Sequence, residues 1–339
     1  MSARIRIAVD AMSGDLGPRV AISAAQKFTA TFADVDVVLV GNEQQLLALS
    51  SVKKLSRQRI SILNATDVVA MDEDPLHALR HKKNSSMWLA IESLNKNLAD
   101  ACVSAGNTGA LLAMGKYLLK TFPGLERPAI CKAMPVEKGQ TYLLDLGANT
   151  NCTAENLHQF AVMGKILAST ANLNPRIGLL NIGTEATKGT DIIKATQELL
   201  QNDSRLNFGG YIEANKIFTG EMDVIVCDGF HGNIALKTCE GTARFIAKKI
   251  QATFKQNWLA RLAAIVIWPL LKHLRTELDP SMYNGASFLG LQKVLVKSHG
   301  NANKKAFMQA LIVAREQVSQ NVPARIQAEF SAQTNSHQQ

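Results

Sequence analysis

Several familiar signatures are missing from this 339-residue chain. No G-x-G occurs, which removes the dinucleotide-binding fingerprint. Gly183–Thr190 (GTEATKGT) imitates a P-loop, but Lys188 precedes the second glycine instead of following it. There is no GxSxG elbow and no HExxH pair, and the seven histidines do not cluster at ligand spacing. Neither a metal nor a cofactor is therefore expected. None of the five cysteines forms a CxxC pair, and Cys102 and Cys227 sit in apolar runs as small core residues. The opening MSARIRIAVDAM enters a strand pattern directly, without a signal-peptide core. No uncharged apolar run approaches the ~20 residues needed to span a bilayer. The expectation is a reduced, cytoplasmic and mainly soluble protein.

What is present is a composition that can build a large core: 47% hydrophobic residues against 19% charged. The net charge of +9 suits an anionic partner. The basic residues are scattered, however, and no nucleic-acid partner is expected. One architectural phrase recurs. IRIAVDAMSGDLGPRVAISAAQ from Ile5 reads as strand, polar glycine turn and helix, as do the stretches from Ala101, Tyr142 and Ile177 and the stretch Val224–Gly241. Short apolar strands alternating with helices predict a largely parallel sheet buried on both faces. In such sheets ligands gather outside the carboxyl ends of the strands. Five turns along one sheet edge, with helix N-termini presenting free N–H groups, would favour an anion there.

The C-terminal third is different. Thr242–Trp258 predicts an amphipathic helix, with Ile246, Ile250, Phe254 and Trp258 on one stripe. Asn257–Leu274 (NWLARLAAIVIWPLLKHL) is unusually apolar and is interrupted by Pro269. Lys293–Lys297 resumes a strand pattern and ends in Ser298-His299-Gly300-Asn301, and Lys304–Gln320 predicts a last helix. Residues 1–330 are expected to form one α/β unit, with a helical, apolar protrusion over about 242–290 and a disordered tail at 331–339.

The turns carry Asn, Asp, Ser, Thr and Lys, a set rich in neutral donors with a few cations. Such a set can hold an oxyanion without hydrolysing it, although the same residues also cap helices. The blocks DAMSGD (Asp10–Asp15), VSAGNTGALLA (Val103–Ala113), LDLGAN (Leu144–Asn149) and GLLNIGTEATKGT (Gly178–Thr190) resemble the phosphate acyltransferases of bacterial phospholipid synthesis, the PlsX family. DGFHGNIALKTCEG (Asp228–Gly241) and VKSHGNAN (Val296–Asn303) extend the resemblance, which keeps the family's order over residues 4–318. The sequence departs from the family pattern at Ser13, Leu16, the segment Asn284–Gly290 and His231.

The resemblance implies a three-layer α/β/α fold similar to phosphotransacetylases and isocitrate dehydrogenases, in a homodimer. It implies transfer of a long acyl chain from acyl carrier protein to inorganic phosphate, giving acyl phosphate for a membrane glycerol-3-phosphate acyltransferase. The alternatives are a CoA-dependent phosphotransacylase on the same scaffold and a non-catalytic, membrane-associated scaffold that retains an anion pocket. Phosphate is already ionised near neutrality, so no strong base is needed. The chemistry is positioning and stabilisation of charge on the thioester oxygen.

On that reading Lys188 stabilises the phosphate or oxyanion, Asn233 donates beside it, and Asp228 orients Lys188 or caps a helix. Asp10, Gly106, Asn107, Thr108, Asn149 and His299 are expected to bind phosphate or thioester. Arg80, Lys82 and Lys83, or Arg244 and Lys248, would dock the acidic carrier protein. Trp258, Leu262, Ile265 and Trp268 would either contact a membrane surface, making the protein peripherally membrane-associated, or pack on a second subunit. His231 reads as a bystander.

Overall fold

The computed structural model describes residues 4–49, 59–255, 267 and 280–336. Eleven strands are numbered along the chain: β1 (Ile5–Asp10), β2 (Val35–Gly41), β3 (Ile60–Asn64), β4 (Ala101–Ser104), β5 (Ala129–Pro135), β6 (Gln140–Leu144), β7 (Arg176–Leu180), β8 (Asn207–Ile212), β9 (Val224–Val226), β10 (Ala286–Leu289) and β11 (Val294–Lys297). They form one sheet in the order β3-β2-β1-β4-β11-β10-β5-β6-β9-β7-β8. The parallel strands confirm the reading of the strand–turn–helix phrase. Only the contacts β11–β10, β10–β5 and β5–β6 are antiparallel.

Three successive reversals have a topological consequence. β1, β2, β3, β4, β5 and β11 run one way, while β6, β7, β8, β9 and β10 run the other. The expectation that all the glycine turns line one sheet edge is therefore corrected. The turns after β1, β4 and β11 leave the sheet in one direction, and those after β6, β7 and β9 leave in the opposite one. Apolar periodicity gives each strand's burial but carries no sign for its direction.

Helices cover both faces. In β1, Ile7 and Val9 point to a layer made by α1 (Pro18–Thr31) and α9 (Lys304–Ser319), where Phe28, Phe307 and Leu311 are buried. Ala8 points to the opposite layer, against Met87, Ile91 and Leu94 of α4 (Ser86–Asn95) and Leu111 and Met114 of α5 (Thr108–Leu119). The short α2 (Glu43–Ala48) and α3 (Pro75–His81) complete this half. In the other half α6 (Ala154–Ala168) and α10 (Val322–Ser336) bury Phe160, Met163, Ile326 and Phe330 against β6, β7 and β9. Burying each such aromatic side chain contributes ~1.5–3 kcal/mol. α7 (Asp191–Asn202) packs on α6.

The turn side chains largely serve these helices. Asn42, Asp74, Ser85, Asn107, Thr153, Thr190 and Asn303 each accept a backbone N–H from the first turn that follows.

Three C-terminal expectations change. The described part of the helix read as Thr242–Trp258 belongs to a 27-residue helix, α8 (Gly229–Lys255), which begins inside the CDGFHGN turn. Ala286–Leu289 is a sheet strand, so the helical segment does not extend to 290. The last helix continues to Ser336, past the expected start of a disordered tail at 331. The apolar run Asn257–Leu274, with Trp258, Leu262, Ile265 and Trp268, lies outside the described residues. No described helix is long and apolar enough to cross a membrane.

Candidate active site

Strand register brings the two opposed sets of turns back together. Asp10 pairs with Ser104, Ser104 with Lys297, and Lys297 with Ala286. Ser287 pairs with Cys131, so the same antiparallel register carries Ala286 opposite Lys132. Lys132 pairs with Leu143, and Leu143 with Ile225. One row thus crosses the sheet, and directly opposed residues project from the same face. Asp10, Ser104 and Lys297 are the last residues of their strands, while β6 ends at Leu144, one residue beyond the row. The two halves meet head to head, with their carboxyl ends converging on this level.

Above the row, on the face that bears Lys132 and Lys297, lies the middle of α8. Lys132 Nζ is 3.7 Å from Glu240 Oε1, and Lys237 Nζ is 3.5 Å from Glu240 Oε2. Glu240 is 11 residues into α8, ~16 Å from its start. Lys297 Nζ donates to the carbonyls of Ala105, at 3.2 Å, and Ser298. Among the described residues no carboxylate lies within ion-pair distance of it. Burial pushes the Lys297 ammonium down to about 8 and also lowers that of Lys132. The His299 N–H donates to Asn284, and its Nδ1 accepts the Asn301 N–H at 3.3 Å. That leaves the proton on Nε2. Burial lowers the His299 pKa, with Glu240 opposing and Lys237, Lys297 and Lys132 reinforcing the shift.

The first group of turns is a buried polar knot. Asp10 is 1% exposed and accepts from Ser86 Oγ at 2.6 Å and Ser104 Oγ at 2.7 Å. Burial raises its pKa against these bonds. The Gly106 N–H donates to Ser104 Oγ. Asn107 caps α5 through its Oδ1, and its Nδ2 donates to the carbonyls of Met71 and Glu73. The structure therefore uses Asp10, Gly106 and the Asn107 side chain to shape the turn, which leaves Thr108 exposed at the helix start.

The second group centres on Asp145, a fully buried carboxylate. It accepts N–H groups from Ile130, Gly147, Ala148 and Asn149, and the Asn149 side-chain amide. Asn149 also donates to the Pro128 carbonyl, so its side chain is structural as well. α8 starts against this turn: the Gly229 N–H donates to the Asn149 carbonyl at 2.7 Å. Asn233 lies beside Gly147, whose φ of +123° suits glycine. Asp228 caps α8, accepting the His231 N–H at 2.9 Å, and its other oxygen is 2.6 Å from His231 Nδ1. Of the two roles expected for Asp228, the structure shows the cap.

Lys188 sits in the exposed loop after β7, with its side chain folded over Gly183 and its carbonyl accepting from Asn181. Among the described residues no hydrogen bond or ion pair joins it to Asn233 or Asp228. Of the docking candidates, Arg80, Lys83, Arg244 and Lys248 are exposed, while Lys82 is paired with Asp67 at 2.9 Å. Sequence reasoning passed over Lys132, Glu240, Lys297 and Asp145. Lys297 did leave a signal, because period-two alternation places it on the face of apolar Leu295.

Comparison with known proteins follows this architecture. The fatty acid synthesis protein family matches residues 5–325. The phosphate acyltransferase of Cellvibrio japonicus is 59% identical over 332 residues, covering 98% of this chain and 99% of that one. That of Hydrogenovibrio crunogenus is 46% identical over 335 residues, again covering 98% and 99%. Among solved structures, a phosphotransacetylase from Streptococcus pyogenes aligns with a TM-score of 0.63 at 16% identity, over 93% of this chain and 94% of that one. Isocitrate dehydrogenase from Methylococcus capsulatus aligns at 0.51 and 11% identity, over 95% and 88%. At these identities the structural likeness concerns the fold. The sequence matches go further, and the chain belongs to the fatty acid synthesis protein family, alongside the phosphate acyltransferases that it matches over almost their whole length.

Proposed function

We propose that this acyltransferase moves a long-chain fatty acyl group from acyl carrier protein to inorganic phosphate. A phosphate oxygen attacks the thioester carbonyl carbon, the carbon–sulfur bond breaks, and the proton of hydrogen phosphate passes to the leaving thiolate. Acyl phosphate and the free carrier thiol result. The observation that carries this reading is the convergence of glycine turns on a row bearing two partly buried lysines, in a chain matched almost throughout by phosphate acyltransferases. Such a site binds anions and lacks any need for a strong base.

In this reading Lys188 closes over the cleft and, with Asn233 at the start of α8, stabilises the oxygen that gains charge in the transition state. Thr108 and His299 border the same cleft. Arg80 and Lys83 near α3, and Arg244 and Lys248 on α8, form the basic surfaces for an acidic carrier protein. α8 also exposes Phe245, Ile246 and Ile250, a stripe suited to a second copy of the chain in a homodimer. We place the dimer in the cytoplasm, peripherally on the membrane, delivering acyl phosphate to a membrane glycerol-3-phosphate acyltransferase. The apolar run 257–274 would supply the lipid contact.

The deciding experiment is phosphate-dependent release of thiol from purified long-chain acyl carrier protein, run in parallel with acyl-CoA. Release from the carrier protein is expected; its absence would overturn the reading. Membrane association is tested by liposome flotation of the wild type against Leu262→Glu and Ile265→Glu. Equal binding by all three would remove the lipid contact.

A further inference from the structure

We propose that Lys297, with Lys132, Lys237 and the Nε2–H of His299, forms the pocket that holds the phosphate nucleophile. The proposal deepens the acyl-transfer reading and rests on it.

The four groups come from three separate elements. Lys297 and Lys132 share one row and one face, separated only by β10, so their backbones are ~10 Å apart. Lys237 approaches from α8 above them, and His299 follows two residues after Lys297. Lys237 acts on Lys132, Lys297 and His299, and both sheet lysines act on His299. Among the described residues Glu240 is the carboxylate within ion-pair distance of this group, and it divides itself between Lys132 and Lys237. Asp10, on the same row two strands from Lys297, is already engaged by the hydroxyls of Ser86 and Ser104. Asp15 contributes only at a distance.

Lys297 is the centre of the argument. Its ammonium is held in a largely desolvated place by carbonyl oxygens, with no carboxylate partner among the described residues. Asp10 and Asp15 act on it without making an ion pair, so a partly buried cation here gains from an anion that completes it. The neighbouring residues match such a ligand. His299 is held as a neutral donor through Nε2, since Nδ1 accepts the Asn301 N–H. A phosphate dianion is compact, carries two charges and accepts several hydrogen bonds, as this set of donors requires.

The phosphodiester of the carrier's prosthetic arm offers similar chemistry, and the test separates the two. Binding of inorganic phosphate to the full chain would be measured by titration calorimetry for wild type, Lys297→Met and Lys132→Met. The Michaelis constants for phosphate and for acyl carrier protein would be measured on the same proteins, with circular dichroism confirming the fold. The expected result is a tenfold or greater weakening of phosphate binding and a matching rise in the phosphate KM, with the carrier-protein KM unchanged. Unaltered phosphate binding in folded Lys297→Met and Lys132→Met overturns the proposal. So does a rise confined to the carrier-protein KM, which would assign the cluster to the phosphodiester. Calorimetry needs no turnover, so the two readings fail separately. Phosphate binding lost in Lys297→Met, without acyl phosphate formation by wild type, would sink the acyl-transfer reading and leave the pocket standing.

Discussion

Gly232→Ala decides whether the start of α8 must lie hard against the Asp145 turn. A Cβ at position 232 would fall 1.9 Å from the Asp145 carbonyl oxygen, 3.0 Å from its carbon and 2.8 Å from Cys227 Sγ. An ordinary carbon–oxygen contact is ~3.3 Å, so helix and turn must separate by more than 1 Å. The neighbours cannot yield easily, because Cys227 is tied to Leu144 at 2.7 Å and to Asp145 at 2.9 Å, and Gly229 to Asn149 at 2.7 Å. Replacing glycine by alanine in a helix gains ~1 kcal/mol of propensity. Overpacking of this kind costs ~1–3 kcal/mol, and two backbone-level contacts place it at the upper end. The net expectation is a loss of about 2 kcal/mol in urea denaturation. A displacement of ~1 Å at Asn233 would lower kcat ~100-fold. Gly241→Ala is the internal control: it lies in the same helix with nothing within 4 Å of the added methyl. It should stabilise the protein by ~0.5–1 kcal/mol. If Gly232→Ala behaves like Gly241→Ala in both assays, the argument is refuted.

Other consequences can be measured directly. Lys188→Ala should keep the fold and lower kcat by ~100–1,000-fold, as for a lost oxyanion donor; near-normal turnover would remove that role. His231→Thr should retain most activity, because Asp228 caps α8 through the backbone N–H that threonine keeps, whereas Asn233→Ala should not. Asp145→Asn should cost ~3 kcal/mol or more in denaturation, since an amide replaces a charged acceptor shared by five N–H bonds. Phosphate affinity should fall as pH rises through about 8, where Lys297 loses its proton. The sign follows from a lysine whose folded pKa is depressed: it is charged below that value and neutral above it. A pH-independent affinity between 7 and 9 would count against Lys297 as a ligand.

Much of the site was legible in the sequence as a set of turns. Glycine-rich segments after short apolar strands placed Asp10, Gly106, Asn107, Asn149 and Asp228 where backbone and helix ends meet. What their side chains do was open, because capping and ligand binding select the same residue types. The structure shows Asn107, Asn149 and Asp228 in capping or turn-fixing bonds. Lys132 escaped notice because a single lysine in a strand is also the ordinary mark of a solvent-facing position. Asp145, two residues before Gly147 in LDLGAN, carries no spacing of its own to set it apart.

Sequence alone determined the α/β class, the largely parallel strands and the family, because burial periodicity, turn chemistry and ordered motifs are local properties of the chain. Only the tertiary structure decided that the strands run in two opposed sets whose carboxyl ends meet on the row through Ser104, Lys297, Lys132 and Leu143. Two of the reversals are hairpins, but the pairings that join them into one sheet, Ser287 with Cys131 and Lys297 with Ser104, link residues more than a hundred positions apart, and no local pattern records them. The same pairing set two lysines on one face beneath α8.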